Sequence, residues 1–209
     1  MSSLFPHFPV FLDLAGRAVI LLGDEPALQD LAQHCLAAGA SVTAFAPTPS
    51  DAMRAMAPGL RLKLRRWRPS DFKGATLVVV SRAEPRPIRA RTAAHAAEAM
   101  FHACGAPELS DVALGDVAAR GGLSIGVSAP GAPSALATAV RDRLEAALPA
   151  GLADFLAAAS RARAEVERAL PDAGARERFW RTLAARAFDE KRAGPGAWDA
   201  FIREYLEAN

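Results

Sequence analysis

The chain has 209 residues, 51% of them hydrophobic and 23% charged, with Lys+Arg 25 against Asp+Glu 23 and a formal net charge of +2. That length and apolar share describe one large globular domain or two small ones and exclude disorder or a coiled coil as the main state. The near balance of charge leaves no broad positive field, which argues against nucleic acid as a partner, and no apolar run nears the roughly 20 residues that span a bilayer.

Met1 to Pro9 carries no basic leader segment, so neither export nor membrane insertion is expected. Two cysteines, Cys35 and Cys104, stand outside any CxxC spacing, which predicts a reducing, cytoplasmic setting and no metal site. Only Lys63, Lys73 and Lys191 are lysine. The arginines that make up the rest pair bidentately with carboxylates and suit a polycarboxylate ligand, although a GC-rich coding bias explains the same supply.

The first strong pattern is Arg17-Ala-Val-Ile-Leu-Leu-Gly23, a continuous apolar run closed by glycine, as expected of a strand buried on both faces of a parallel sheet. A helix follows. Pro26 suits its first turn, Asp24 and Glu25 suit the positive end of its dipole, and Ala27, Leu28, Leu31, Cys35 and Leu36 recur at helical spacing up to Gly39. Ser41-Val-Thr-Ala-Phe45 then alternates as a second strand. Together these form a right-handed βαβ unit, the opening of a doubly wound nucleotide-binding fold.

Residues 48–58 read as a short helix, Leu60 to Trp67 as an alternating strand, and Ala75 to Ser81 as another buried strand. In the stretch around Trp67, Arg61, Lys63, Arg65, Arg66 and Arg68 make the densest positive cluster, read as a solvated strand face. Helix 88–100, with Ala93, Ala96, Ala97 and Met100 as its apolar stripe, leads to Phe101-His-Ala-Cys-Gly105 as the last strand. His34, Cys35 and His95 are assigned to helix surfaces and core. From about residue 113 the pattern changes: Arg120-Gly-Gly-Leu-Ser-Ile-Gly-Val-Ser128 is a strand entered through a Gly-Gly turn, followed by a helix from Ser134 to about Leu148. Beyond Pro149 the pattern is helical throughout, with breaks at Pro171-Asp-Ala-Gly174 and Ala193-Gly-Pro-Gly196. The expected domains are 1–112, 113–148 and 149–209.

The order of these features resembles the amino-terminal module of siroheme synthase, whose stand-alone members are precorrin-2 dehydrogenases, some also sirohydrochlorin ferrochelatases. It rests on Phe8-Pro-Val-Phe-Leu-Asp-Leu-Ala-Gly-Arg17, Ala38-Gly-Ala-Ser-Val-Thr43, Ala46-Pro47, Pro107-Glu-Leu109, Arg120 to Ser128, Pro133-Ser, Leu136-Ala137 and Arg141-Asp-Arg-Leu-Glu145. The resemblance implies an α/β fold with a Rossmann-like parallel sheet domain, a central strand-loop-helix dimerisation segment and a small all-helical carboxy-terminal domain. It also implies NAD as cofactor, a tetrapyrrole ligand in a cleft near the nucleotide site, and a homodimer.

Against that pattern the cofactor turn reads Gly23-Asp24-Glu25-Pro26 where the family carries three glycines. Asp24 and Glu25 put carboxylates beside the place of a pyrophosphate, and Pro26 lacks an N–H donor. The turn after the strand at Leu77 to Val80 is Ser81-Arg-Ala-Glu84 where the family has a Thr-Asp type. The family aspartate before Pro107-Glu-Leu109 falls on Cys104 or Gly105, so Cys104 is the candidate catalytic residue, a base only if its thiol pKa is lowered. His102 and Cys104, two apart on a strand, share a face that can point into the cleft, which makes His102 a candidate tetrapyrrole-binding residue. The resemblance adds Arg120, Ser128 and Ser134 as tetrapyrrole-binding positions, with Ser134 also a candidate N-cap. Three activities compete on these grounds: NAD-dependent oxidation of precorrin-2 to sirohydrochlorin, non-catalytic tetrapyrrole binding as a carrier or regulator, and metal insertion alone.

Overall fold

The computed structural model describes residues 8–129, 132–189 and 196–207. The chain divides into two compact units, with the division at Leu114/Gly115. The first holds a five-stranded, all-parallel sheet made of β1 (Ala18–Leu22), β2 (Ser41–Phe45), β3 (Arg61–Lys63), β4 (Ala75–Val80) and β5 (Met100–Ala103), in the order β3-β2-β1-β4-β5. The helices of this unit are α1 (Pro26–Ala37), α2 (Asp51–Ala55) and α3 (Pro87–Ala96).

Strand β1 is apolar throughout because it is covered on both faces. Val19 and Leu21 pack with Leu28, Ala32 and Cys35 of α1, whereas Ile20 and Leu22 pack with Ala90, Ala93 and Ala94 of α3. Each such side chain contributes about 1.5–3 kcal/mol of transfer free energy on burial, which fixes the sheet between its helices. Pro26 opens α1 with its preset φ, and Gly39 at φ +78° carries the chain out of the helix.

Three elements depart from the reading of the sequence. The strand expected over Leu60 to Trp67 stops at Lys63, because Arg65 turns away to a bidentate pair with Asp71 at 2.7 and 2.8 Å. Helix 88–100 ends at Ala96; Glu98 takes φ +56° and Met100 already opens β5. Its buried stripe is Ala90, Ala93 and Ala94, and Ala96 is exposed. Finally, Asp116–Arg120 is itself a strand, β6, paired antiparallel through the Gly121-Gly122 turn with β7 (Leu123–Val127).

The second unit continues with α4 (Ser134–Ala147), α5 (Leu152–Ala169), α6 (Ala173–Asp189) and α7 (Ala197–Glu207). Its core joins Phe155 and Val166 of α5, Phe179 and Leu183 of α6, and Trp198 and Ile202 of α7. The hairpin sits close on α5: a Cβ on Gly121 would lie 2.2 Å from the Ala153 Cα. Helix α4 leaves Leu136, Val140 and Leu144 exposed at four-residue spacing, a single apolar stripe. Among the described residues no helix is long and apolar enough to cross a membrane.

Candidate functional site

In an open parallel sheet the ligand crevice lies beyond the carboxyl ends of the strands, where the strand order reverses. Here that point falls between β1 and β4, since the chain builds outward through β2 and β3 before returning to β4. A cleft of about 400 Å³ opens there, and Gly23, Asp24, Glu25, Arg66, Trp67 and Ser81 are among the residues that line it.

Gly23 leaves β1 at φ +120°, and its N–H donates to the Phe45 carbonyl at 3.1 Å. A Cβ at this position would meet Ser81 Cβ and Oγ at 2.5 Å. The first glycine of the turn is therefore required by close approach between the ends of β1 and β4. Ser81, 5% exposed, is the buried partner of that approach, and its neighbours in sequence gave no sign of it.

The two carboxylates after Gly23 are occupied by protein donors. Glu25 is the N-cap residue of α1, yet its side chain makes no cap bond. Its oxygens instead accept the backbone N–H groups of Arg82 and Ala83 at 3.2 and 3.0 Å. Asp24 accepts from Gln29 Nε2 at 2.9 Å, from Ser50 Oγ at 3.2 Å and from the Ser50 backbone N–H through a short contact. The electrostatic fit of Asp24 and Glu25 to the helix end, expected from sequence, is thus supplemented by bridges to the β4–α3 loop and to the start of α2.

Cys104 follows β5, its N–H donating to the Val80 carbonyl at 3.0 Å. Burial, and after it the negative charge of Glu25, pushes its thiol pKa above the usual value, with Arg82 opposing. The thiol therefore stays protonated at neutral pH and lacks the activation a general base requires. Cys35, on the buried face of α1, is pushed up to about 11 by burial alone. His102 lies in β5 between Met100 and Cys104 on the α1 side of the sheet, half-buried, with Nδ1–H donating to the Val112 carbonyl at 2.9 Å. Burial lowers its pKa against the opposing effect of that bond. His34 is exposed on α1, and His95 Nε2 pairs with Asp111 at 2.8 Å.

In the second unit Arg120 donates from Nη1 to the Leu148 carbonyl at 3.0 Å, joining the hairpin to the end of α4. Ser128 is exposed just after β7. Ser134 is the first residue of α4 and makes no cap bond; the N-cap position belongs to Pro133, which corrects the expected capping role. Of the loop expected between them, Pro130 and Gly131 lie outside the described residues. Among the described residues no group of three or more His, Cys, Asp or Glu side chains could hold a metal ion.

Arg66 and Trp67, read from sequence as part of a solvated strand face, are cleft residues. Trp67 stacks on the fully buried Phe72 with ring centroids 5.2 Å apart and an interplanar angle of 23°. The signal was present in the sequence as an aromatic residue within a basic run, but the bend after Lys63 that turns it into the cleft depends on Asp71.

The family model described as "Putative NAD(P)-binding" matches residues 10–116. The chain is 30% identical over 197 residues to siroheme synthase of Pseudomonas entomophila, covering 91% of this chain and 42% of that protein. It is 32% identical over 182 residues to siroheme synthase 1 of Halorhodospira halophila, covering 85% of this chain and 38% of that one. The chain thus spans about two fifths of the length of these curated relatives. The solved structure of SirC, precorrin-2 dehydrogenase, has the same fold, with a TM-score of 0.67 at 18% identity, over 97% of this chain and 100% of that one. With the family model and the curated relatives in agreement, the chain belongs to the family of putative NAD(P)-binding proteins that includes the amino-terminal module of siroheme synthase.

Proposed function

We propose that the protein is a tetrapyrrole-binding member of the siroheme branch in which NAD-dependent oxidation of precorrin-2 to sirohydrochlorin is suppressed at the cofactor seat. The observation that carries this reading is the Glu25 carboxylate on the backbone N–H groups of Arg82 and Ala83. Backbone donors at a strand-helix crevice are what a pyrophosphate uses. Here a resident carboxylate holds two of them, a second carboxylate stands beside it at Asp24, and Pro26 offers no N–H at all. The residues present do not fit a pyrophosphate in its ordinary seat.

The oxidation also requires an acceptor for one proton. Cys104, at or next to the family aspartate position, is held protonated by burial and by Glu25 and cannot serve. Binding needs less. Arg120, Ser128 and Ser134, on the strength of the family pattern, and His102, from its place on β5, are the positions we assign to the tetrapyrrole, and the exposed stripe Leu136, Val140 and Leu144 supports a homodimer through α4. The competing reading, an active dehydrogenase, is favoured by the Gly23 turn lying at the point of strand reversal.

Anaerobic titration of the full chain with sirohydrochlorin and, separately, with NAD tests this. Sirohydrochlorin binding is expected together with weak NAD binding, and Glu25→Gly should tighten NAD by about tenfold, the equivalent of relieving ~1.4 kcal/mol of repulsion. Strong NAD binding by the unaltered protein that is lost in Glu25→Gly would instead return the dehydrogenase to first place.

A further inference from the structure

In strand order the switch-point cleft runs from acid through apolar to base. Asp24 and Glu25 follow β1 and Glu84 follows β4, whereas Phe45, Ala46 and Pro47 follow β2, and Arg66 and Trp67 follow β3. Neighbouring strands stand about 4.8 Å apart, so the ends of β1 and β3, with that of β2 between them, are separated by about 10 Å. Opposite charges thus flank one apolar stretch.

None of these charges is neutralised by another. Asp24, Glu25, Glu84 and Arg66 make no ion pair among the described residues. Uncharged backbone donors fix the carboxylates instead: Glu25 on Arg82 and Ala83, Asp24 on Ser50, and Glu84 on the Arg86 N–H at 3.2 Å. Such bonds hold a carboxylate in place and leave its charge uncompensated. Ser81 gives an independent sign of a missing partner at the same end: it lines the cleft, is 5% exposed, and its hydroxyl makes no hydrogen bond among the described residues, whereas buried hydroxyls are ordinarily satisfied. At the other end Arg65 is taken up by its bidentate pair with Asp71, which leaves the exposed Arg66 to the cleft.

The acids do not gather on a metal, since among the described residues no group of three or more His, Cys, Asp or Glu side chains could hold one. An ammonium group, with three donors spread around one nitrogen, reaches separate acceptors. We infer that the cleft binds a small ω-amino carboxylate, a chain with an ammonium group at one end and a carboxylate at the other. The ammonium donates to Glu84 and to Ser81 Oγ in the field of Asp24 and Glu25, the methylene stem runs along Phe45, Pro47 and Trp67, and the carboxylate pairs with Arg66. An α-amino acid, whose two charged groups share one carbon, cannot span the apolar stretch. The cleft volume of about 400 Å³ is of the size that takes one small molecule. This goes beyond the tetrapyrrole reading and does not rest on it.

Isothermal titration of the full chain at one low ionic strength with 6-aminohexanoate, its isomer 2-aminohexanoate, hexanoate and hexylamine tests the inference. The isomers share composition and charge and differ in charge separation alone. We expect 6-aminohexanoate to bind at least about tenfold more tightly than each of the other three, as one charge-assisted contact implies. Glu84→Gln, which keeps an acceptor for the Arg86 N–H, should weaken 6-aminohexanoate and hexylamine alike by about tenfold, and Arg66→Gln should bring 6-aminohexanoate down to the affinity of hexylamine. Both variants should retain the thermal midpoint of the unaltered chain. The inference is overturned by no heat from 6-aminohexanoate at about 10 mM, by equal or tighter binding of 2-aminohexanoate, or by a preference that survives both substitutions. Tighter binding of Nα-acetyllysine than of 6-aminohexanoate would overturn it as well, by moving the ligand to the carboxy-terminal lysine of a peptide. Absence of sirohydrochlorin binding by the unaltered chain would sink only the proposed function.

Discussion

At Gly23 two constraints coincide: a left-handed backbone at φ +120°, and no room for a Cβ against Ser81. Gly23→Ala must therefore bear backbone strain of about 1–3 kcal/mol and also push apart the ends of β1 and β4. We expect it to lower stability by about 2–4 kcal/mol, seen as an earlier urea midpoint with an unchanged slope. A variant as stable as the unaltered chain would mean that the Ser81 end of β4 yields freely. Glu25 and Asp24 need no such strain, because each carboxylate reaches a backbone donor outside its own helix. Side-chain chemistry at this turn could be read from residue types alone. The partners at Ser50, Ser81 and Arg82–Ala83 could not, since they lie between 26 and 58 residues away along the chain.

At the scale of single elements, β5 shows how an edge strand is closed. Among the described residues it pairs only with β4, and its outer side is taken by the loop after it. Phe101 N–H donates to Asp111 Oδ2 at 3.0 Å, Phe101 carbonyl accepts from Asp111 N–H at 2.8 Å, and Ala103 N–H donates to Ser110 Oγ at 2.9 Å. Pairing of this kind removes the free donors and acceptors through which edges aggregate. The strand itself was legible from the alternation of its residues, but the covering loop was not, because Ser110 to Val112 carry no periodic pattern. His102 gains its Val112 partner from the same loop. Burial holds its pKa below the ordinary 6.5, so the unfolded chain takes up a proton that the folded one resists. Its contribution to stability is full above pH 6.5 and is lost as pH falls from there toward the lowered folded value. Urea midpoints measured from pH 8 to pH 5.5 should fall more steeply in the unaltered chain than in His102→Gln. Parallel profiles would show that His102 titrates alike in both states.

On the scale of the whole molecule, the βαβ opening and the helices beyond Pro149 were legible because each has a period that its own residues state. The β6–β7 hairpin was half hidden: β7 alternates after a Gly-Gly turn, whereas β6, Asp-Val-Ala-Ala-Arg, has too little apolar side chain to announce a strand. What makes β6 a strand is pairing with β7, and what holds the pair is the second unit's own core. Leu123 and Leu148 pack with Leu152, Phe155 and their neighbours, inside the second of the two compact units. Separate cores imply separable unfolding. Gly121 offers a way to test this, since it stands at φ +56° with the Ala153 backbone filling the place of a side chain. Unlike a distal chain end, the Ala153 Cα cannot swing aside, so Gly121→Val must either lift the hairpin from α5 or distort the helix. We expect a loss of about 2–4 kcal/mol confined to the second unit. Hydrogen exchange followed by mass spectrometry should then show faster exchange in residues 116–127 and in α5, while the amides of β1 and β4 keep their protection. Equal loss of protection in β1 and β4 would show instead that the two cores unfold as one.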